Sequence, residues 1–275
     1  ISAVPVKIFV VESQESKDNR ATRILSGQDN VMSDLMTGMG YFFKGLKIIT
    51  RPGLRGFVII PLVANVAVFL VIAGSLYQLM SGIYVDFTGE LTSTWSFLTW
   101  IVAPLIWLVG TLLSGYLSIF IVLFLTSPFH GLLAEKVEEF VTGETLVSDS
   151  SAVQLALAVP RGFLRELQKI AHYVPMALAV LVLSLIPGIN MAAPLFWILL
   201  GAWMMSLQFV DYPMDNHKLS FGEVRAACAA RRSTSIGFGG IVAFVSGIPL
   251  LNLVLIPAAV AGATLLWCEE LRPLK

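Results

Sequence analysis

The sequence predicts an all-α integral membrane protein with two full transmembrane helices, two re-entrant (hemi-penetrating) helical hairpins and amphipathic cytoplasmic helices. Three observations predict this class. Hydrophobic residues make up 56% of the chain, charged residues only 13%, and the mean hydropathy is +0.81, which is typical of membrane proteins. Two long uncharged stretches are each interrupted near the middle by proline, and lysine and arginine are confined to particular segments.

The chain begins with a polar segment of mixed charge, residues 1–33, which lacks a secretory signal pattern. We interpret it as a mobile or vector-derived tail, and residues 34–275 as a single membrane domain. In residues 34–49, apolar side chains are interleaved with two lysines. This pattern indicates either a helix lying on the membrane surface or an extension of the first span.

Two full spans are predicted at about 57–80 and about 97–126, because both regions are uncharged and long enough for a bilayer core about 30 Å thick. Proline and two glycines break the chain before the first span, and Ser127-Pro128 is expected to end the second. The segment that follows, about 129–172, is expected to form amphipathic cytoplasmic helices.

The uncharged stretches at about 173–210 and 233–268 are the predicted hairpins. Each contains the pattern Ile-Pro-x-x-Asn, followed by a second proline, Pro194 or Pro257, at which the return arm is expected to begin. The arms then hold about 12 to 17 residues, fewer than the roughly 20 that a helical span requires. The shared pattern also suggests an internal repeat of the kind found in transporters.

The distribution of basic residues predicts the topology. None of the 18 lysines and arginines lies in residues 57–127. By the positive-inside rule, the N-terminal part, the central segment, the linker between the hairpins and the C-terminal end are therefore cytoplasmic. Each hairpin must then enter and leave the membrane on the same side.

A first candidate site is the turn Gly53-Leu54-Arg55, to which Arg51 could add a second charge. Glycine and proline expose backbone amides, and a guanidinium beside them suits a tetrahedral oxyanion, because amides and guanidinium together replace its hydration shell. The alternative is a positive anchor that extends to the lipid headgroups.

A second candidate site is the pair of hairpin tips, which place Asn190 and Asn252 at the expected breaks in the helices. These amide side chains could line a permeation path, since non-helical backbone at membrane depth is buried in protein or faces water. Alternatively, they only cap the broken helices.

Charged residues outside the spans are interpreted as a structural ion-pair network that comprises Glu135, Glu138, Arg161, Asp211, Asp215 and His217. The same residues offer an alternative function, a membrane enzyme or scaffold acting through Glu135/Glu138 and Asp211–His217. Motifs of the types HExxH, GxSxG and GxxxxGK[ST] are absent from the sequence. No metal site, no cofactor and no enzymatic activity are therefore expected.

Several motifs together carry a family resemblance. They are Pro-Gly-Leu-Arg at 52–55, Ser-Pro-Phe-x-Gly-Leu-Leu-Ala-Glu-Lys-Val-Glu at 127–138, Ile-Pro-Gly-Ile-Asn at 186–190, Gln-Phe-Val-Asp-Tyr-Pro-Met-Asp-Asn-His-Lys at 208–218, Ile-Pro-Leu-Leu-Asn-Leu at 248–253 and Pro-x-Ala-Val-x-Gly-Ala-Thr at 257–264. With these motifs, the chain resembles the bacterial sulfate permease CysZ family over roughly residues 34–272.

The resemblance implies a multi-pass protein of the bacterial inner membrane that brings in sulfate, and possibly sulfite, for cysteine biosynthesis. It implies sulfate, the lipid bilayer and further copies of the chain as partners, and no nucleic acid. It places the anion at Gly53, Leu54 and Arg55, although Gly56 stands where a second arginine is common. Both channel-like and ion-coupled flux are compatible with it.

Overall fold

The computed structural model describes residues 31–90, 97–144 and 152–272. Within these ranges, side chains are not described at 118–128, at 152–161 or at a few single positions that include Asn252. The described backbone is helical, without strands. Its α-helices are α1 (Val31–Ile48), α2 (Gly56–Glu90), α3 (Thr99–Thr142), α4 (Ala152–Leu185), α5 (Ala193–Asn216), α6 (Phe221–Ala230), α7 (Arg232–Ser246) and α8 (Pro249–Leu266).

The chain divides into two compact units. The smaller unit, Gly56–Phe129, contains α2 and most of α3. Here Met80 packs against Gly110, and the rings of Tyr77 and Trp107 are 5.2 Å apart. Most other apolar side chains of the two helices are exposed, as expected for helices that face lipid rather than a protein core.

Helix α1 lies against α7 and α8 in the larger unit, which comprises the remaining described residues. Gly38 contacts the backbone of Thr234 on α7, and Gly45 contacts the backbone of Ala258 and Gly262 on α8. Glycine is required at both positions, because an added Cβ would overlap backbone atoms. Residues 49–55 separate α1 from α2, so α1 is not an extension of the first span.

Helices α4 and α5 are joined by the Pro-Gly tip predicted from the sequence. Gly188 has a φ of +87° and allows the chain to reverse. A short 3₁₀ helix, Asn190–Ala192, leads into α5, with Pro194 in its first turn. The expected start of this return arm is therefore confirmed to within one residue.

Two expected helix boundaries are wrong, and proline is responsible in both cases. Helix α3 continues through Pro128 to Thr142, because the apolar pattern resumes beyond it and a helix can tolerate one missing N–H donor. The return arm of the second hairpin begins at Pro249, and Pro257 lies inside α8. Pro249 follows the extended residue Ile248 and has the fixed φ that suits the first turn of a helix.

Helix α6 begins with a capping box. The Ser220 hydroxyl accepts a hydrogen bond from the Glu223 amide at 3.3 Å, and the Ser220 amide donates to the Glu223 carboxylate at 2.6 Å. Two of the orphan amides at the helix start are satisfied in this way. Hydrogen bonds from Ser220 also lower the pKa of Glu223.

Candidate anion-binding turn and charged clusters

The Arg51–Arg55 turn is held by a short ladder of backbone hydrogen bonds. The Arg51 amide donates to the Ile48 carbonyl at 3.0 Å, and the amides of Leu54 and Arg55 donate to the Arg51 carbonyl at 3.1 and 3.2 Å. Gly53 has a φ of +96°, in the left-handed region that favours glycine. Leu54 is only 3% exposed and anchors the turn.

The turn presents the positively charged side chain of Arg55 at the surface. Arg55 is exposed, Arg51 is half-buried and Lys47 is exposed one turn earlier. Because the amides of Leu54 and Arg55 are used within the turn, the groups left to face an anion are the guanidinium of Arg55 and the amide of Gly53. A guanidinium presents two parallel N–H donors to an oxyanion, which favours sulfate-like geometry over a spherical ion.

The hairpin tip exposes Asn190 at the start of the 3₁₀ helix. Its amide donates to the Ile186 carbonyl at 3.0 Å. Its side chain caps neither the 3₁₀ helix nor α5, whose N-caps are Ile189 and Ala192 without side-chain hydrogen bonds. The side chain of Asn252 lies outside the described residues.

Asp211 is the centre of a buried ion-pair cluster at the base of the α4–α5 hairpin. One carboxylate oxygen lies 2.6 Å from a guanidinium nitrogen of Arg165, and the other lies 2.8 Å from Lys169 Nζ. Arg165 also donates to the Leu219 carbonyl at 2.6 Å and lies 3.8 Å from Asp215. Both carboxylate oxygens of Asp211 therefore have cationic partners, as a buried charge requires.

Glu138 is the centre of a second cluster, which joins the end of α3 to the end of α5. Its side chain is 2% exposed and lies 2.8 Å from His217 Nε2 and 3.2 Å from Arg272 Nη1. Nearby, the Asn216 side chain donates to the Gly131 carbonyl at 2.8 Å. Together these contacts fasten the last turn of α5 to α3.

A third cluster, which was not predicted from the sequence, joins α1 to the chain beyond α8. Tyr41 and Lys44 both contact Glu269 Oε2, at 3.0 and 3.3 Å. Glu270 lies 3.5 Å from the Tyr41 hydroxyl and 3.9 Å from Arg231. The sequence feature that could have indicated this cluster is the acidic pair Glu269-Glu270, directly after an uncharged stretch. Buried carboxylates need cationic or hydrogen-bonding partners.

Four residues of the predicted network lie in two separate clusters. Asp211 and Asp215 share Arg165, whereas Glu138 and His217 contact each other. Glu135 also has an interaction partner. The side chain of Arg161 lies outside the described residues. In the described part of the chain, no three His, Cys, Asp or Glu side chains are placed to hold a metal ion.

His130, in the last part of α3, is buried, and its pKa differs clearly from that of a free histidine. Its ring packs edge-on against Tyr212 at 5.2 Å, and its Nδ1 is buried without a hydrogen-bond partner. Burial lowers the pKa of His130 to about 4, because it penalises the charged imidazolium. The ring is therefore neutral at physiological pH.

Comparison with known proteins identifies the family. Residues 41–257 match the family described as Sulfate transporter CysZ/Etoposide-induced protein 2.4. The chain belongs to this family. The CysZ match contains the end of α1 from residue 41, the Arg51–Arg55 turn, the α4–α5 hairpin, α7 and the first half of α8.

Individual CysZ relatives cover most of the chain. A protein of Pseudomonas aeruginosa (strain LESB58) named Sulfate transporter CysZ is 43% identical over 236 residues, 86% of this chain and 96% of the relative. Proteins of the same name from Pectobacterium atrosepticum and Vibrio cholerae (strain ATCC 39541) are 39% identical over 250 and 242 residues. They cover 89% and 86% of this chain, and 89% and 94% of their own lengths.

Membership of the CysZ family agrees with the membrane character of the helices. In the described residues, five helical segments are long and apolar enough to cross a bilayer: Gly56–Asp86, Thr99–Leu117, Gly162–Leu185, Asn190–Asn216 and Val254–Leu271. The chain is therefore a multi-pass membrane protein. The family name is that of a transporter, so it gives no support to the alternative of a membrane enzyme.

Proposed function

We propose that this protein is a sulfate permease, with sulfite as a possible second substrate. The observation that carries the proposal is the CysZ match over residues 41–257, together with relatives named sulfate transporters that align over nearly their whole length. We further propose the bacterial inner membrane as its location, cysteine biosynthesis as the use of its sulfate, and a homo-oligomer as its assembly.

The proposed anion site is the Arg51–Arg55 turn. Arg55 supplies the main charge and a planar pair of donors, Gly53 supplies a free amide, and Arg51 adds charge from the other end of the turn. Leu54 contributes by anchorage, since its side chain is buried and its amide is used internally. In the described part of the chain, Arg55 has no ion pair that an anion would need to displace.

A binding titration with purified protein tests this site. Arg55→Ala should weaken sulfate binding by roughly ten- to a hundredfold, the range for a lost hydrogen bond to a charged group. Lys47→Ala is the matched control, because it removes one exposed positive charge a turn earlier. Equal weakening by both variants would mean that overall charge, rather than the turn, attracts the anion.

Flux measurement tests the function itself. Wild-type protein in proteoliposomes should take up radiolabelled sulfate faster than empty vesicles, and Arg55→Ala should reduce that uptake. Uptake no faster than in empty vesicles would contradict the proposed function. Competition by sulfite and by phosphate would define the oxyanion class.

We also propose that α4–α5 and α7–α8 are re-entrant hairpins rather than pairs of full spans. Helix α7 has 15 residues and is therefore about 22 Å long, shorter than a bilayer core of about 30 Å. In α4, the uncharged part begins after the buried Lys169 and ends at Leu185, which corresponds to about 24 Å. The charged base of each hairpin then stays at one face of the membrane.

Labelling of single cysteines tests this topology. Met191, which is 88% exposed at the α4–α5 tip, is replaced by cysteine and treated with a membrane-impermeant maleimide from each side. A re-entrant tip should remain unlabelled from the outer face. Trp100→Cys, at an exposed position near the start of α3, is the control that should label there, and equal outer labelling of both variants would mean that the hairpin spans.

A further inference from the structure

The chain widens into a π-helical turn directly after α8, at Trp267–Leu271. Such turns displace side chains from the regular helical register and occur frequently at functional sites. Here the turn places the Glu269 side chain, which is 5% exposed, against α1. A carboxylate at that depth is costly unless it is paired.

Two residues of α1 contact the same oxygen of Glu269. The Tyr41 hydroxyl donates to Oε2 at 3.0 Å, and Lys44 Nζ lies 3.3 Å from it. The Lys44 ammonium also lies 4.8 Å from the centre of the Tyr41 ring. One buried acceptor therefore holds two side chains within a single turn of α1.

These polar contacts add direction to the packing of α1. Gly38 and Gly45 bring α1 within backbone contact of α7 and α8, but glycine has no side chain that interlocks with a neighbour. Tyr41 lies between them on the same face, buried and with a directional hydrogen bond. Tyr41 and Lys44 on Glu269 thus add directional contacts that favour one rotation and axial position of α1.

The position of α1 is transmitted to the Arg51–Arg55 turn without a flexible link. The Ile49 amide donates to the Gly45 carbonyl at 3.2 Å, the Arg51 amide donates to Ile48, and the Arg55 amide donates to Arg51. This ladder starts one residue after Lys44. A rotation of α1 therefore displaces the start of the turn and with it the backbone that bears Arg55.

We propose that Glu269 is a positioning residue for the anion-binding turn, acting through Tyr41 and Lys44. This inference rests on the proposed function of the turn. It assigns the C-terminal acidic pair a role in substrate affinity although neither residue contacts the anion. Glu269 holds α1, which leads into the turn that bears Arg55, and Glu270 contributes only longer contacts.

Electrostatics and positioning predict opposite effects for the same substitution. Glu269→Gln removes a negative charge, so a purely Coulombic role predicts tighter sulfate binding. Positioning predicts weaker binding, because Lys44 loses the Glu269 carboxylate and the short hydrogen bond from Tyr41 then goes to a neutral acceptor. Tyr41→Phe changes no charge, and any effect of it on affinity reflects geometry.

The test is sulfate titration of the purified full chain, with the dissociation constant and the number of sites fitted separately. Glu269→Gln and Tyr41→Phe should each raise the dissociation constant by about three- to tenfold while the number of sites and the melting temperature change little. Glu270→Gln is the matched control for charge and should change it less than about twofold. In proteoliposomes the two variants should raise KM and leave Vmax near wild type.

Each outcome has a defined meaning. A wild type without sulfate binding contradicts the proposed function, and this inference with it. Wild-type binding that is lost in Arg55→Ala but unchanged in Glu269→Gln and Tyr41→Phe overturns the positioning role alone, as does tighter binding by Glu269→Gln. If Glu269→Gln does not fold, Tyr41→Phe decides by the same criteria, and a loss of sites at constant affinity overturns the proposal.

Discussion

Replacement of Gly239 by alanine should destabilise the larger unit, because α7 crosses α5 there at backbone contact. A Cβ at Gly239 would overlap the carbonyl oxygen of Ala202 and lie 2.8 Å from the Ser206 nitrogen. These obstacles are backbone atoms, which cannot rotate away. The helices must therefore separate, and the rest of their interface must separate with them.

The magnitude follows from two opposing terms. Overpacking of this kind costs typically about 1–3 kcal/mol, and the upper end applies because both obstacles are rigid. Alanine in a helix is favoured over glycine by about 1 kcal/mol, which offsets part of that cost. We expect a net loss of about 2 kcal/mol for Gly239→Ala.

The adjacent glycine provides the control. At Gly240 the nearest atom to an added Cβ is the Ala202 Cβ at 3.8 Å, an ordinary contact. Gly240→Ala should therefore gain helix propensity, about 0.5–1 kcal/mol. Thermal and SDS-induced unfolding of the detergent-purified variants would measure both, and equal stability of the two variants would refute the reasoning.

Three further changes test other features by unfolding measurements. Asp211→Asn should cost about 3 kcal/mol, the lower end for a broken buried pair, because it removes the carboxylate shared by Arg165 and Lys169 while Lys169 keeps Glu166, whereas Asp215→Asn, at a longer and more exposed contact, should cost under about 1 kcal/mol. The lowered pKa of His130, about 4 against 6.5, gives stability that is present above pH 6.5 and lost as the pH falls towards 4. From pH 7 to pH 5 the wild type should therefore lose about 2 kcal/mol more than His130→Phe, and parallel pH profiles would contradict this. Ser220→Ala should cost about 1 kcal/mol through loss of the capping box, and an unchanged melting temperature would show that the cap contributes nothing.

The sequence predicted the helical class and the α4–α5 tip because both depend on local signals. A continuous uncharged run of about 20 residues is long enough for a helical span and too long for a barrel strand, and Pro-Gly followed by Pro194 marks a break and a restart. The sequence pattern did not distinguish prolines that begin a helix from prolines inside one. Residues 258–263, which directly follow Pro257 in α8, are buried against other helices. This packing keeps α8 regular through Pro257.

The candidate anion-binding turn was predictable from the sequence to a similar extent. Pro-Gly before a basic residue indicated the turn, and the positive φ of Gly53 agrees with it. The use of the Leu54 and Arg55 amides within the turn could not be predicted, because it depends on how the end of α1 continues into the turn. The contacts of Glu269 could not be predicted either, since they depend on a π-helical turn that has no sequence signature of its own.

The position of α1 against α7 and α8 has a consequence for the order in which the protein is assembled. Tyr41 and Glu269 are 228 residues apart in the chain, so the partner of α1 is synthesised long after α1 itself. Contacts of such separation form late and slowly. The turn that bears Arg55 therefore acquires this support only after residue 269 has been synthesised, and until then the glycine-lined face of α1 lacks its partner helices.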